Sequence, residues 1–146
     1  MITYISTIKV TYSDTDQMGY VHHNNYVKYY ETARWELFEQ LGIPYKAVEE
    51  KGFMLPVTRM DLKFIKPAYY DELLNIETTL HKISGAKIFF RYKLFNEAGT
   101  LVNKAEVTLA FINSATRQPC LAPEFIWQKI HGKGLENKAS ANWMNQ

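Results

Sequence analysis

The sequence predicts an α+β domain in which one curved antiparallel sheet wraps a single long helix. Three observations predict it. The chain opens on apolar–polar alternation, one long segment then follows helical spacing, and from about residue 59 to 111 alternation returns, broken only by short turn sequences.

In residues 4–12, Ile8, Val10 and Tyr12 alternate with Thr7, Lys9 and Thr11, the pattern of a half-buried strand. Tyr26, Tyr30, Ala33, Leu37 and Leu41 then recur at helical spacing, and Val27 and Phe38 widen the stripe. Asn24 or Asn25 is the expected N-cap, because a short side-chain oxygen can accept from the free N–H groups of the first turn. Gly42 ends the helix and Pro44 prevents its return. A helix of about 18 residues measures roughly 27 Å. Residues 43–52 read as a link.

Four strands follow. Met60, Leu62 and Phe64 alternate with Arg59, Asp61 and Lys63, and Leu74, Ile76 and Leu80 with Asn75, Glu77 and Thr79. Ile88, Phe90, Tyr92 and Leu94 alternate with Lys87, Arg91 and Lys93, and Ala105, Val107, Leu109 and Phe111 with Lys104, Glu106 and Thr108. The separators Lys66-Pro67-Ala68, Ser84-Gly85-Ala86 and Asn96-Glu97-Ala98-Gly99 carry turn chemistry. Short turns between successive strands imply antiparallel neighbours. Strands of about ten residues span roughly 33 Å, slightly more than the helix, so the sheet can curl around it. Residues 124–131 read as a short helix. The domain is expected over residues 1–131, with 132–146 a polar C-terminal tail.

At 146 residues the chain suits one domain, and 47% hydrophobic with 22% charged residues is ordinary for a soluble globular protein. Residues 1–73 carry 8 basic and 10 acidic groups, and residues 74–146 carry 9 and 5, so the small positive excess lies in the second half. It forms no basic run, which argues against nucleic acid, but it suits a phosphate-bearing small molecule. One cysteine, Cys120, cannot form an internal disulfide and sits in a loop as a bystander. With no apolar leader and no apolar run of membrane length, a cytoplasmic protein without membrane contact is expected. His22 and His23 are adjacent and need not point the same way. His81 and His131 lie elsewhere without zinc spacing, so no metal is expected.

The stretch Tyr12-x-Asp14-Thr15-Asp16-x-x-Gly19-x-Val21-x-His23-x-x-Tyr26, continuing to Glu31-x-Ala33-Arg34, resembles the acyl-CoA thioesterases of the 4-hydroxybenzoyl-CoA thioesterase type, in particular the bacterial YbgC-like branch. Pro67-Ala68-x-x-Asp71-Glu72-Leu73 is similar to that family's second recurrent segment. The resemblance implies the hotdog fold, a five-stranded antiparallel sheet around one long helix. It also implies homodimers formed by joining sheets edge to edge, and homotetramers built from them. Joining edges removes an exposed strand edge, an independent reason to expect a dimer.

The resemblance further implies hydrolysis of a small acyl-CoA thioester, or an acyl-carrier-protein thioester, to a carboxylate and a free thiol. No cofactor is implied, since coenzyme A is part of the substrate. Asp16 is the implied catalytic acid, either as general base on water or as a nucleophile giving a transient anhydride. The backbone N–H of His23, with Asn24 nearby, is the implied oxyanion site, and the His23 side chain has a supporting role. The residues read alone agree with this. Asp16 stands eight positions before Asn24, too early for a simple cap, and Gly19 permits close backbone approach to a ligand. A helix N-terminus offers free N–H groups where negative charge develops. Asp14 is expected to hold the loop, and Glu31 and Arg34 to pair on the helix surface. Tyr26, Tyr29, Tyr30 and Trp35 are expected in core and interface, with part of the cluster lining an acyl pocket. Arg59, Lys82 and Lys87 are the candidate contacts for coenzyme A phosphates. Two alternatives are a hydroxyacyl-thioester dehydratase using His23 with Glu31, and an acyl-thioester-binding protein without turnover.

Overall fold

A computed structural model describes residues 2–131, 133 and 143–145. Its elements in chain order are β1 (Ile2–Lys9), α1 (His23–Gln40), α2 (Tyr45–Glu50), β2 (Phe53–Met54), β3 (Val57–Phe64), β4 (Leu73–Ser84), β5 (Lys87–Phe95), β6 (Leu101–Ala110), β7 (Ile112–Asn113) and α3 (Glu124–Ile130). Five strands form one antiparallel sheet in the order β1-β4-β5-β6-β3, and β2 pairs with β7 apart from it. This is the hotdog arrangement, with α1 held in the curl of the sheet.

The helix buries Tyr26, Tyr29, Tyr30, Ala33, Leu37 and Phe38. Opposite them lie Leu74, Ile76 and Leu80 of β4, and Ile88, Phe90, Tyr92 and Leu94 of β5, none of them exposed. Phe38 meets Phe90 edge-to-face with ring centres 5.6 Å apart. Three register shifts, between Leu80 and Lys82, between Val57 and Arg59 and between Leu94 and Phe95, interrupt the ladders as bulges. A bulge bends its strand and increases twist, which lets the sheet close over the helix.

Three features depart from the sequence reading. β3 does not pair with β4, its successor. It crosses to the far edge and pairs with β6, so that Met60 faces Val107. Lys66-Pro67-Ala68 is therefore a crossing segment rather than a hairpin turn. Its Ala68 carbonyl accepts from Val21 N–H at 2.8 Å, tying the crossing to the loop before α1. Arg34 does not pair with Glu31 on the surface. It is buried, and its Nη1 donates to the Tyr92 hydroxyl at 3.1 Å. A delocalised guanidinium tolerates such a site better than an ammonium. The link 43–52 contains α2, whose Val48 is fully buried.

Most of the expected tail 132–146 lies outside the described residues. Trp143–Asn145 form a short 3-10 turn on the sheet face away from α1. The Trp143 carbonyl accepts from Lys104 Nζ at 2.8 Å, and its ring covers the Lys104 and Arg91 cations at 4.9 and 5.2 Å. Among the described residues no helix is long and apolar enough to cross a membrane.

His81 lies on that outer face, 3% exposed. Burial, with Arg91 and Lys82 beside it, pulls its imidazole from 6.5 down to about 4. The unfolded chain takes up this proton first as pH falls, so the stability is complete above pH 6.5 and is lost progressively towards pH 4. Urea unfolding across that window should weaken the wild type by on the order of 2 kcal/mol more than His81→Gln. Equal pH dependence in the two proteins would contradict this.

Candidate active site

After β1 the chain makes a 3-10 turn over Tyr12–Asp14 and then a narrow loop closed by pairing of Thr15 with Val21. Asp16 N–H donates to the Tyr20 carbonyl at 2.8 Å, and Gly19 N–H to the Asp16 carbonyl at 3.0 Å. Gly19 adopts φ +77°, which glycine reaches without strain. The exposed Asp16 carboxylate is steered by its own loop. Oδ1 accepts from Met18 N–H at 2.9 Å and Tyr20 N–H at 3.1 Å. Oδ2 has no protein partner among the described residues.

The helix start differs from expectation. The N-cap is His22, not Asn24 or Asn25. Its Nδ1 accepts from Asn24 N–H at 3.2 Å, and its ring stacks on His23 at 4.1 Å. The two adjacent histidines thus lie face to face. The Asn24 amide, implied above as part of the oxyanion site, is occupied by this cap. Asn25 turns back to the loop, where its Nδ2 donates to the Asp14 carbonyl at 2.8 Å. That leaves the His23 N–H without a protein acceptor among the described residues, at the positive end of an 18-residue helix.

Asp16 and His23 line one cavity of about 360 Å³, with Tyr20, Val21, Tyr26 and Phe64 as much of its wall. Phe64, the last residue of β3, packs edge-to-face on Tyr26 with centres 5.5 Å apart. Lys66 and Pro67 of the crossing segment complete the rim. One end of the cavity is therefore a carboxylate beside a helix N-terminus, and the rest is largely aromatic and aliphatic.

The other candidates fall elsewhere in this chain. Gly19 belongs to the Asp16 loop. Arg59 pairs with Asp61 at 2.9 Å on the outer face. Arg59, Thr108, Phe89 and Lys82 form one row across β3, β6, β5 and β4. Phe64 sits opposite Asn103, five residues along β6 from Thr108, which is roughly 17 Å of strand. Lys87, opposite Ala110, is seven residues from the Phe64 row, roughly 23 Å. Glu31 lines a different groove, with Val27, Trp35 and Met60, so it is not brought to His23. Sequence reasoning missed Phe64, Tyr20 and Lys66 as wall residues. The only signal was that an apolar strand residue stands immediately before Lys66-Pro67.

Residues 10–130 match the model of the thioesterase-like superfamily. The chain belongs to this superfamily. The matched span runs from the end of β1 to the end of α3, so it includes every wall of the cavity. Among its superfamily relatives, the acyl-CoA thioester hydrolase YbgC of Escherichia coli is 30% identical over 119 residues, covering 82% of this chain and 89% of the relative. A DHNA-CoA thioesterase from Staphylococcus aureus superposes with a TM-score of 0.84 at 30% identity, covering 91% of each chain. A hypothetical protein from Thermus thermophilus superposes at 0.81 with 34% identity, covering 86% of this chain and 95% of that one.

A Cβ at Gly19 would meet nothing within 4 Å, so the cost of Gly19→Ala is backbone strain alone. The variant should lose about 1 kcal/mol of stability in urea unfolding. An unchanged midpoint would mean that the loop leaves the left-handed conformation at no cost.

Proposed function

We propose that this chain hydrolyses acyl-CoA thioesters to the free acid and coenzyme A. The observation that carries the proposal is the pairing, in one cavity, of the Asp16 carboxylate with the unoccupied His23 N–H at the start of α1. The thioester carbonyl oxygen would accept from that N–H. As the carbonyl carbon becomes tetrahedral its oxygen gains negative charge, and a fixed donor at a helix N-terminus strengthens its hold there. Asp16 Oδ2 would take a proton from water as the water oxygen bonds to the carbonyl carbon. Collapse of the tetrahedral species breaks the C–S bond, and the sulfur leaves as thiolate or takes the proton back from Asp16. Direct attack by Oδ2 would instead form an anhydride that water opens, with the same products. The acyl group would lie against Tyr26 and Phe64. The names of the relatives support acyl-CoA as substrate; an acyl-carrier-protein thioester presents the same reacting atoms to the site.

The dehydratase alternative needs an acid on the helix facing His23, and Glu31 faces another groove. A binding protein without turnover has no use for a steered carboxylate with one free oxygen.

An open edge supports a homodimer. β3 pairs with β6 alone, and beside its free edge the apolar Val57, Phe64, Val27 and Trp35 are each more than one-third exposed. A second copy joined along β3 would satisfy the strand edge and cover these side chains. Light scattering should give an even multiple of the chain mass, and a monomer at micromolar concentration would overturn the arrangement.

The decisive assay offers a panel of acyl-CoAs and follows thiol release. Wild type should turn over, and Asp16→Asn should lose at least about 100-fold in kcat. Undiminished turnover in the variant would remove Asp16 from the chemistry. Loss of water from a hydroxyacyl-CoA without thiol release would replace hydrolysis by dehydration.

A further inference from the structure

Asp14 lies two residues before Asp16 and is outside the cavity, yet it makes more of the local structure than any neighbour. Its side chain is 7% exposed. Oδ1 accepts from Lys28 Nζ at 2.8 Å, and Oδ2 accepts from the Tyr29 hydroxyl at 2.8 Å. Its main-chain carbonyl accepts from His22 N–H and from Asn25 Nδ2, both at 2.8 Å. One residue of the loop therefore holds four residues of the cap and the first two turns of α1.

Those four partners bracket the reacting groups. His22 precedes the His23 amide and caps the helix, Asn25 follows it, and Lys28 and Tyr29 anchor the next turn. On the loop side, Thr15 separates Asp14 from Asp16 and pairs with Val21. Two connections thus join the Asp16 carboxylate to the His23 N–H: one along the loop through Tyr20 and Val21, and one through Asp14, which alone ties the loop to the first two turns of α1. Both carboxylate oxygens are used in these contacts, so Asp14 itself has no part in proton transfer.

We propose that Asp14 is the positioning residue of the site, setting the placement of the Asp16 carboxylate relative to the His23 amide by clamping the loop to the first two turns of α1. The inference rests on the hydrolase reading above and deepens it. Electrostatics agree with the geometry. Burial alone would raise the Asp14 carboxyl, but the bonds from Lys28 and Tyr29, a further one from Thr11 and the Lys28 charge outweigh it and leave the group below the usual carboxylate range. The clamp is accordingly made by the anion. Lys28 is largely exposed, so water can solvate its ammonium when the partner is removed.

The test compares wild type, Asp14→Asn, Tyr29→Phe, Asp16→Asn and the double variant Asp14→Asn/Asp16→Asn. Rates are normalised to the folded fraction measured by circular dichroism. Asp14→Asn should lower kcat about 100-fold, the cost of misplacing a reacting group by about an ångström. KM should stay within about threefold, because the acyl wall and the rest of the cavity are untouched. Asp14→Asn leaves the two main-chain carbonyl contacts in place and takes the charge from the two side-chain ones; Tyr29→Phe removes one of those two and should fall between. Added to Asp16→Asn, the Asp14 change should cost almost nothing further, because the group it positions is already gone. A merely stabilising residue would change the folded fraction but leave the normalised kcat in place.

A second measurement does not depend on turnover. Amide hydrogen exchange over residues 12–25 should quicken at least about tenfold in Asp14→Asn, while β4 and β5 keep their protection. Turnover in wild type, its loss in Asp16→Asn and an undiminished normalised kcat in Asp14→Asn would overturn the positioning role and leave the hydrolase reading standing. Failure of wild type to release thiol from any acyl-CoA would overturn the hydrolase reading. In that event unchanged exchange over residues 12–25 would overturn the clamp as well, and faster exchange confined to them would uphold it.

Discussion

The constraint on which the structure depends is the cover required by one helix. α1 carries a buried stripe of tyrosine, leucine, alanine and phenylalanine along its 18 residues, and no second long helix is present among the described residues to meet it. The sheet must therefore supply the cover by bending. β4, with 12 residues, is the longest strand, and the bulges at Leu80/Lys82 and Val57/Arg59 give the curl. Once the middle of the helix is enclosed, its N-terminus emerges at the rim of the sheet. The loop after β1 and the crossing after β3 meet there, joined by Val21 and Ala68. The site is a product of that enclosure. The free His23 amide of the helix start, which would be unremarked in solvent, shares a cavity with Tyr26 and Phe64.

The two acids of the loop illustrate how environment divides labour between identical side chains. Asp14 is buried and spends both carboxylate oxygens on Lys28 and Tyr29. Asp16 is exposed and spends one oxygen on its own loop amides. The first is therefore fixed and inert, whereas the second is oriented but retains an open oxygen. In the hydrolysis proposed above, the second would act on water or on the carbonyl carbon, and the first would keep its loop in place.

Much of this was legible in the residues. Helical spacing placed the start of α1 two or three residues late and its end to within about one, because its stripe is long and bounded by Gly42 and Pro44. The four later strands were legible because each alternates over most of its length. Strand order was not, since Lys66-Pro67-Ala68 has the same turn chemistry whether the chain doubles back or crosses to the far edge. The burial of Arg34 was hidden because a charge at a helix position reads as surface unless its partner, Tyr92, fifty-eight residues on, is known. The cap was missed because Asn24 and Asn25 are stronger formal candidates than an imidazole. α2, with six residues, is too short to show a period. At the site, the acid-x-x-Gly pattern pointed to Asp16, but the contacts of Asp14 to Lys28 and Tyr29 are tertiary and leave no local trace. The row of Arg59 and Lys82 shows the converse limit. Basic residues near turns were legible as charges, and their distance from the cavity emerged only from strand register.

Trp143 has a consequence for architecture beyond a single chain. Its ring lies near two cations on the back of the sheet, and its carbonyl holds a buried lysine there. The back of the sheet is thus partly tiled by the chain's own last residues. Any higher assembly in which sheets stack back to back must take this indole as part of its contact layer or peel it away, and shortening the chain before residue 143 would take the indole from Lys104 and Arg91.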